Sequence, residues 1–316
     1  MKKLSSKECG KFQVLAFVIF ALGVVSAIPI RCYQMFNMLD NETGFFLKTN
    51  FTIPLLNCIL VAVLVLAFII SYLGKSSTTR PLGRNIPLAV VSYLFAFSLI
   101  ADGVNKLFEA SLNGLHLQDG FVAAQGVFAL LSSAFFIIVG ISFTAGTDTF
   151  VRRGVLAVMP VFWAISRILQ RFSVAIDFKN VSELLYELAM LCLAMLFFMS
   201  FARVYVSSEG TKLSWRIFAF GIPTALFAFL CSLPRFLVKF MGMPERLVKN
   251  SPPEIADLGM AIFIVAVLIA FVSNRRDPVL VPDAPVPEEV SEAGAEVENV
   301  IEEIETPNET IDKPQE

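Results

Sequence analysis

Apolar residues run along this chain in stretches that are too long and too unbroken for the half-buried strands or one-sided helices of a water-soluble domain. Eight such stretches lie at 12–30, 52–73, 86–107, 121–146, 154–172, 181–205, 213–236 and 255–273. Lipid offers no partner to a backbone N–H or C=O, so an apolar stretch of roughly 20 residues predicts a helix that closes its own hydrogen bonds. The predicted fold class is therefore all-α, a polytopic membrane bundle of eight transmembrane helices. The second stretch is the clearest, with no charge from Pro54 to Leu73. The first has small residues at Val25-Ser26-Ala27, spaced as in a signal-peptide cleavage site. Its apolar run exceeds a signal core, however, and its end resembles those of later helices, so it is read as a retained span.

Composition agrees. Hydrophobic residues make up 56% of the 316 and charged residues 16%, against about 25% charged in ordinary soluble domains. The formal net charge of −2 conceals a split that divides the chain. Before Asp277 there are 24 bases and 14 acids, a net +10; from Asp277 onward there are one base and 13 acids, a net −12. Three regions follow: a basic N-terminal segment at 1–11, a membrane domain at 12–273, and an acidic, Pro-rich tail at 274–316. Alternate loops carry unequal numbers of Lys and Arg, 14 on the side of the N-terminus and 10 on the other. The positive-inside rule then predicts a multi-pass protein of the plasma (inner) membrane with both termini in the cytosol.

The ends of the odd-numbered helices recur. The fifth stretch ends Arg167-Ile-Leu-Gln-Arg171-Phe172 and the seventh Arg235-Phe-Leu-Val-Lys239-Phe240. The first ends Arg31-Cys-Tyr-Gln-Met35-Phe36, and the third carries Lys106 and Phe108 out of strict register. The following helices open on Asn180-Val-Ser-Glu183 and Ser251-Pro-Pro-Glu254, both with the spacing of a capping box. The predicted unit is a two-helix hairpin used four times as parallel repeats, in contrast to the inverted repeats of many transporters.

These ends supply the candidate site. Residues four apart share a helix face, so Arg167 with Arg171 and Arg235 with Lys239, joined by Arg31 and Lys106, could receive an anionic or lipid-borne group at the outer surface. The alternative is that the bases snorkel to headgroups, or pair across their own hairpins with Glu183, Glu187, Glu254 and Asp257. Asp102, Glu187 and Asp257 are the intramembrane acids, each required to be paired, protonated or wet. For Asp102 the local partner expected is Lys106, and Gly103 beside it permits close helix approach.

Catalytic chemistry has little to work with. The single His, His116, lies in a predicted loop, and Cys9, Cys32, Cys58, Cys192 and Cys231 form no C-x-x-C pair, so no metal site or cofactor is called for. Intramembrane enzymes that rely on His would lack their base or ligand, and no glycine-rich phosphate loop is present. Nothing calls for nucleic acid. The expected partners are membrane lipids and a cytosolic protein. The latter would bind within 288–305, where Ala293, Val297, Val300, Ile301 and Ile304 fall on one helical face amid glutamates. The resulting expectation is a non-catalytic membrane anchor or sensor module with a partner-binding tail. The alternative is a transporter or a lipid- or anion-binding permease that uses the outer bases.

Overall fold

The computed structural model describes residues 6–40, 46, 51–74, 84–113, 117–146, 154–173, 181–206, 215–243, 247 and 253–273. These form eight α-helices: α1 (Ser6–Asn37), α2 (Thr52–Leu73), α3 (Ile86–Asn113), α4 (Leu117–Ala145), α5 (Met159–Ser173), α6 (Val181–Val206), α7 (Trp215–Phe240) and α8 (Ile255–Ser273). Among the described residues there is no strand, only one bridge between Leu39 and Phe46. The chain divides into Met1–Arg275, which holds every described helix, and Arg276–Glu316, which lies outside the described residues, as does the 288–305 segment.

All helices except α5 are long and apolar enough to cross a membrane. At 15 residues α5 spans about 22 Å, and the 3-10 turn Leu156–Val158 ahead of it adds about 6 Å. Where the hydropathy pattern predicted one helix over 154–172, the chain enters through a turn at Gly154 and Val155 and tightens before Met159. Helix α1 continues past Pro29 to Asn37, and α7 runs through Pro223 and Pro234. Proline is tolerated in such helices because neighbouring elements re-satisfy the backbone groups it frees.

The helices alternate in direction. At one end, aromatic contacts join the start of α7 to the end of α2, through Trp215 and Tyr72, and to the end of α8, through Phe218 and Phe271. At the same end Phe143 of α4 meets Tyr205 of α6, and the Asn85 amide before α3 donates to the Phe143 carbonyl. The opposite end holds Arg31, Asn57, Asp102, Gln125, Arg167, Glu183, Arg235 and Asp257. We call the two the aromatic end and the charged end.

Consecutive helices pack against one another from α3 through α8, as do α1 and α2, with α7 also against α1 and α2, and α8 against α3. Lipid provides no hydrophobic drive for this association, so close approach and dispersion must supply it. Gly103 and Gly126 show how: a Cβ on either would stand 3.0 Å from the other's carbonyl oxygen, so the α3/α4 crossing requires both. At the centre lies a phenylalanine cluster from α3, α4, α6 and α8. The Phe136 ring lies tilted 4.5 Å from Phe95 and edge-on 4.9 Å from Phe263, with Phe198 and Phe201 against them. The alternation in direction brings the ends of α1, α5 and α7, with their arginines, to the charged end.

Candidate functional site

Arg31, at 1% exposure, projects from the penultimate turn of α1 and bonds Glu183 near the start of α6. Arg235 of α7 donates to the other oxygen of Glu183 at 2.9 Å and lies 3.9 Å from Glu187, one turn on. Glu187 in turn accepts from Arg167 at 2.9 Å and from Arg171 at 2.8 Å. Arg167 is fully buried and carries most partners. Its Nη1 donates to Asp257 of α8 at 2.5 Å, and its Nη2 pairs with Glu254 just before that helix. Cations and anions thus alternate from α1 to α8, four guanidinium groups against four carboxylates.

Neutral groups extend the lattice to the other helices. Gln34 accepts from Arg31 and donates to the Thr52 carbonyl at the start of α2, both at 3.1 Å. The Tyr186 hydroxyl donates to Asn57 of α2 at 2.7 Å, and its ring lies under Arg31, 5.0 Å from the guanidinium carbon. Trp163 lies likewise under Arg167 at 5.7 Å and donates its indole N–H to Asp102 of α3 at 3.4 Å. Gln125 of α4 reaches the same carboxylate oxygen at 3.4 Å. One continuous polar layer therefore touches all eight helices. Arginine suits it because the planar fork can serve two or three carboxylates at once while its face packs on an aromatic ring.

Removing these charges from water is costly, and a buried pair gains roughly what its desolvation loses. Deleting one partner, by contrast, strands a charge and costs about 3–5 kcal/mol. Each member of the layer therefore depends on its partners more than the layer adds net stability. Outside the apolar spans, burial pushes the Glu254 carboxyl above the usual carboxylate range, against the pull of Arg167.

Several expectations are corrected here. Arg235 and Lys239 do not act as a pair, because Lys239 is exposed in the last turn while Arg235 is buried. Lys106 bonds Glu109 at 3.1 Å in place of Asp102. Pairing within one hairpin holds for Arg167 and Arg171 with Glu187, but Glu183 serves α1 and α7 while Asp257 serves α5, all across hairpins. The capping box also fails for α8, which begins at Ile255 with the Glu254 carboxylate committed to Arg167 and Arg171. In α6 both Glu183 oxygens are taken by arginines, while Asn180, the other half of the expected box, lies outside the described residues.

Arg31, Arg167, Arg171, Arg235, Glu187 and Asp257 do come together. Sequence reasoning missed Trp163, Tyr186, Gln34, Asn57 and Gln125. Two carried a signal: Trp163 precedes Arg167 by one helical turn, and Gln125 is a strong hydrogen-bonding side chain inside an otherwise apolar run. Among the described residues no group of three or more His, Cys, Asp or Glu is placed to hold a metal. No family model matches the chain, and neither the curated proteins nor the solved structures yield a match.

Proposed function

We propose that this chain is a non-catalytic, multi-pass membrane module whose bundle is clamped at the charged end and whose acidic tail recruits a cytosolic partner. The observation that carries this reading is the matching of charges. Arg31, Arg167, Arg171 and Arg235, the bases that an anion would need, each hold a carboxylate of the protein itself. Bases committed in this way join helices to one another. With the preceding 3-10 turn α5 reaches about 28 Å, close to the roughly 30 Å of a bilayer core, which supports eight crossings. In this reading both termini lie in the cytosol at the plasma membrane, which an even number of crossings and the Lys and Arg bias of the loops support. There the −12 tail is repelled by anionic lipid and projects towards soluble partners.

The test is a proximity-labelling comparison in native membranes between the full chain and one ending at Arg276. A cytosolic protein labelled by the full chain, and lost both on truncation and on replacing Val297, Val300 and Ile304 by Ser, is expected. Identical labelling patterns would rule out the recruiting tail.

A second reading is a transporter whose ion pairs exchange. Its support is Arg235, which stands 2.9 Å from Glu183 and 3.9 Å from Glu187 and so has two carboxylates within reach.

A further inference from the structure

Asp102 stands apart from the four-by-four balance of the lattice. Both hydrogen bonds to it, from Trp163 Nε1 and Gln125 Nε2, come from neutral donors and converge on Oδ2. Its Oδ1 accepts none among the described residues, and Asp102 is partly buried. Gln125, with no exposed surface, has the complementary defect: its Oε1 is buried with no hydrogen-bond partner. Two acceptors without donors therefore belong to two side chains already joined by one bond.

The charges around Asp102 do not resolve this. On its own helix Lys106 is bonded to Glu109. On α5 Arg167 is shared among Asp257, Glu187 and Glu254. On α8, Gly259 meets Ser98 so closely that a Cβ there would lie 2.5 Å from the hydroxyl. One turn further along α3, and one turn back along the antiparallel α8, Asp102 comes opposite the Glu254 end of α8. What α4 contributes is Gln125, which is neutral. Asp102 is thus a fifth carboxylate beside four guanidiniums.

We propose that Asp102 is a proton-binding site, with the proton on Oδ1 donated to Gln125 Oε1 while Gln125 Nε2 donates to Oδ2. One proton completes a two-point acid–amide pair and supplies the donor that the buried Gln125 Oε1 lacks. The proton comes from water and returns to it, with no other group oxidised, reduced or transferred. Its release sets Oδ1 against Oε1 and adds a fifth negative charge beside Arg167, in competition with Glu254 and Asp257 for the same guanidinium. Loading and unloading of Asp102 would therefore couple the α3/α4 contact to the lattice joining α5 and α8. This inference does not depend on the tail-recruitment reading, which concerns residues beyond α8.

The experiment is infrared difference spectroscopy on the full chain in phosphatidylcholine vesicles, wild type minus Asp102→Asn. At pH 7 the difference should contain the carbonyl stretch of a protonated carboxyl. That band should move in Gln125→Leu, which removes the acceptor of its O–H, and should give way to carboxylate bands at alkaline pH. Asp102→Asn keeps the shape of a protonated acid, so it should unfold at a denaturant concentration close to that of wild type. If it does not fold, Asp102→Glu keeps the carboxyl and should shift the band. A pH 7 difference spectrum with carboxylate bands alone would overturn the proposal, as would a Gln125→Leu spectrum with the carboxyl band unmoved.

Discussion

Arg235 and Lys239 occupy equivalent places in the repeated R-x-x-x-[RK]-F ending, yet only the arginine enters the lattice. The lysine lies about 6 Å further along the axis, next to the last residue of α7, and is exposed there. In α5 the corresponding second base, Arg171, does reach Glu187. Recurrence in the sequence thus located Arg31, Arg167 and Arg235 but also Lys106, which stays outside the lattice, and depth at the partner helix decided which base was used. Arg235→Gln should lower the unfolding free energy in detergent micelles by about 3–5 kcal/mol, because Glu183 keeps only Arg31. Lys239→Gln should stay within about 0.5 kcal/mol of wild type. Chemical denaturation of the two variants under one condition checks the contrast.

Seven of the eight elements were legible as whole helices, because a 20-residue apolar run in lipid admits no other structure. The beginning of α5 was not, and neither was the capping of α8. Glu254 has the spacing of a local cap, but Arg167 and Arg171 reach it from another hairpin, and tertiary pairing of that kind leaves no mark at short range. Gly103 was legible as a point of close approach, whereas its partner Gly126 was not, because register between helices is absent from the pattern of either one alone. The two backbones now approach so closely that a side chain on one must push the other away. Gly126→Leu should therefore cost about 1–3 kcal/mol by overpacking and loosen the α3/α4 crossing. Paired cysteines introduced across the crossing, in separate variants with and without this change, should crosslink more slowly when leucine is present.

For the whole molecule, near-neutral net charge results from two opposite arrangements. Within the bundle, arginines at the ends of α1, α5 and α7 meet acids at the starts of α6 and α8, and that balance is spatial. Between bundle and tail, +10 and −12 are separated along the chain. The central claim concerns the first: that charge pairing across hairpins, above all Arg167 of α5 with Asp257 of α8, holds the bundle in its arrangement. A double-mutant cycle with Arg167→Gln and Asp257→Asn, read by unfolding in detergent micelles, tests it most directly. Each single change should be strongly destabilising, and the double change should cost less than the sum of the two by at least about 1 kcal/mol, as expected for residues in one ion-pair lattice. Additive losses agreeing to within about 0.5 kcal/mol would contradict it.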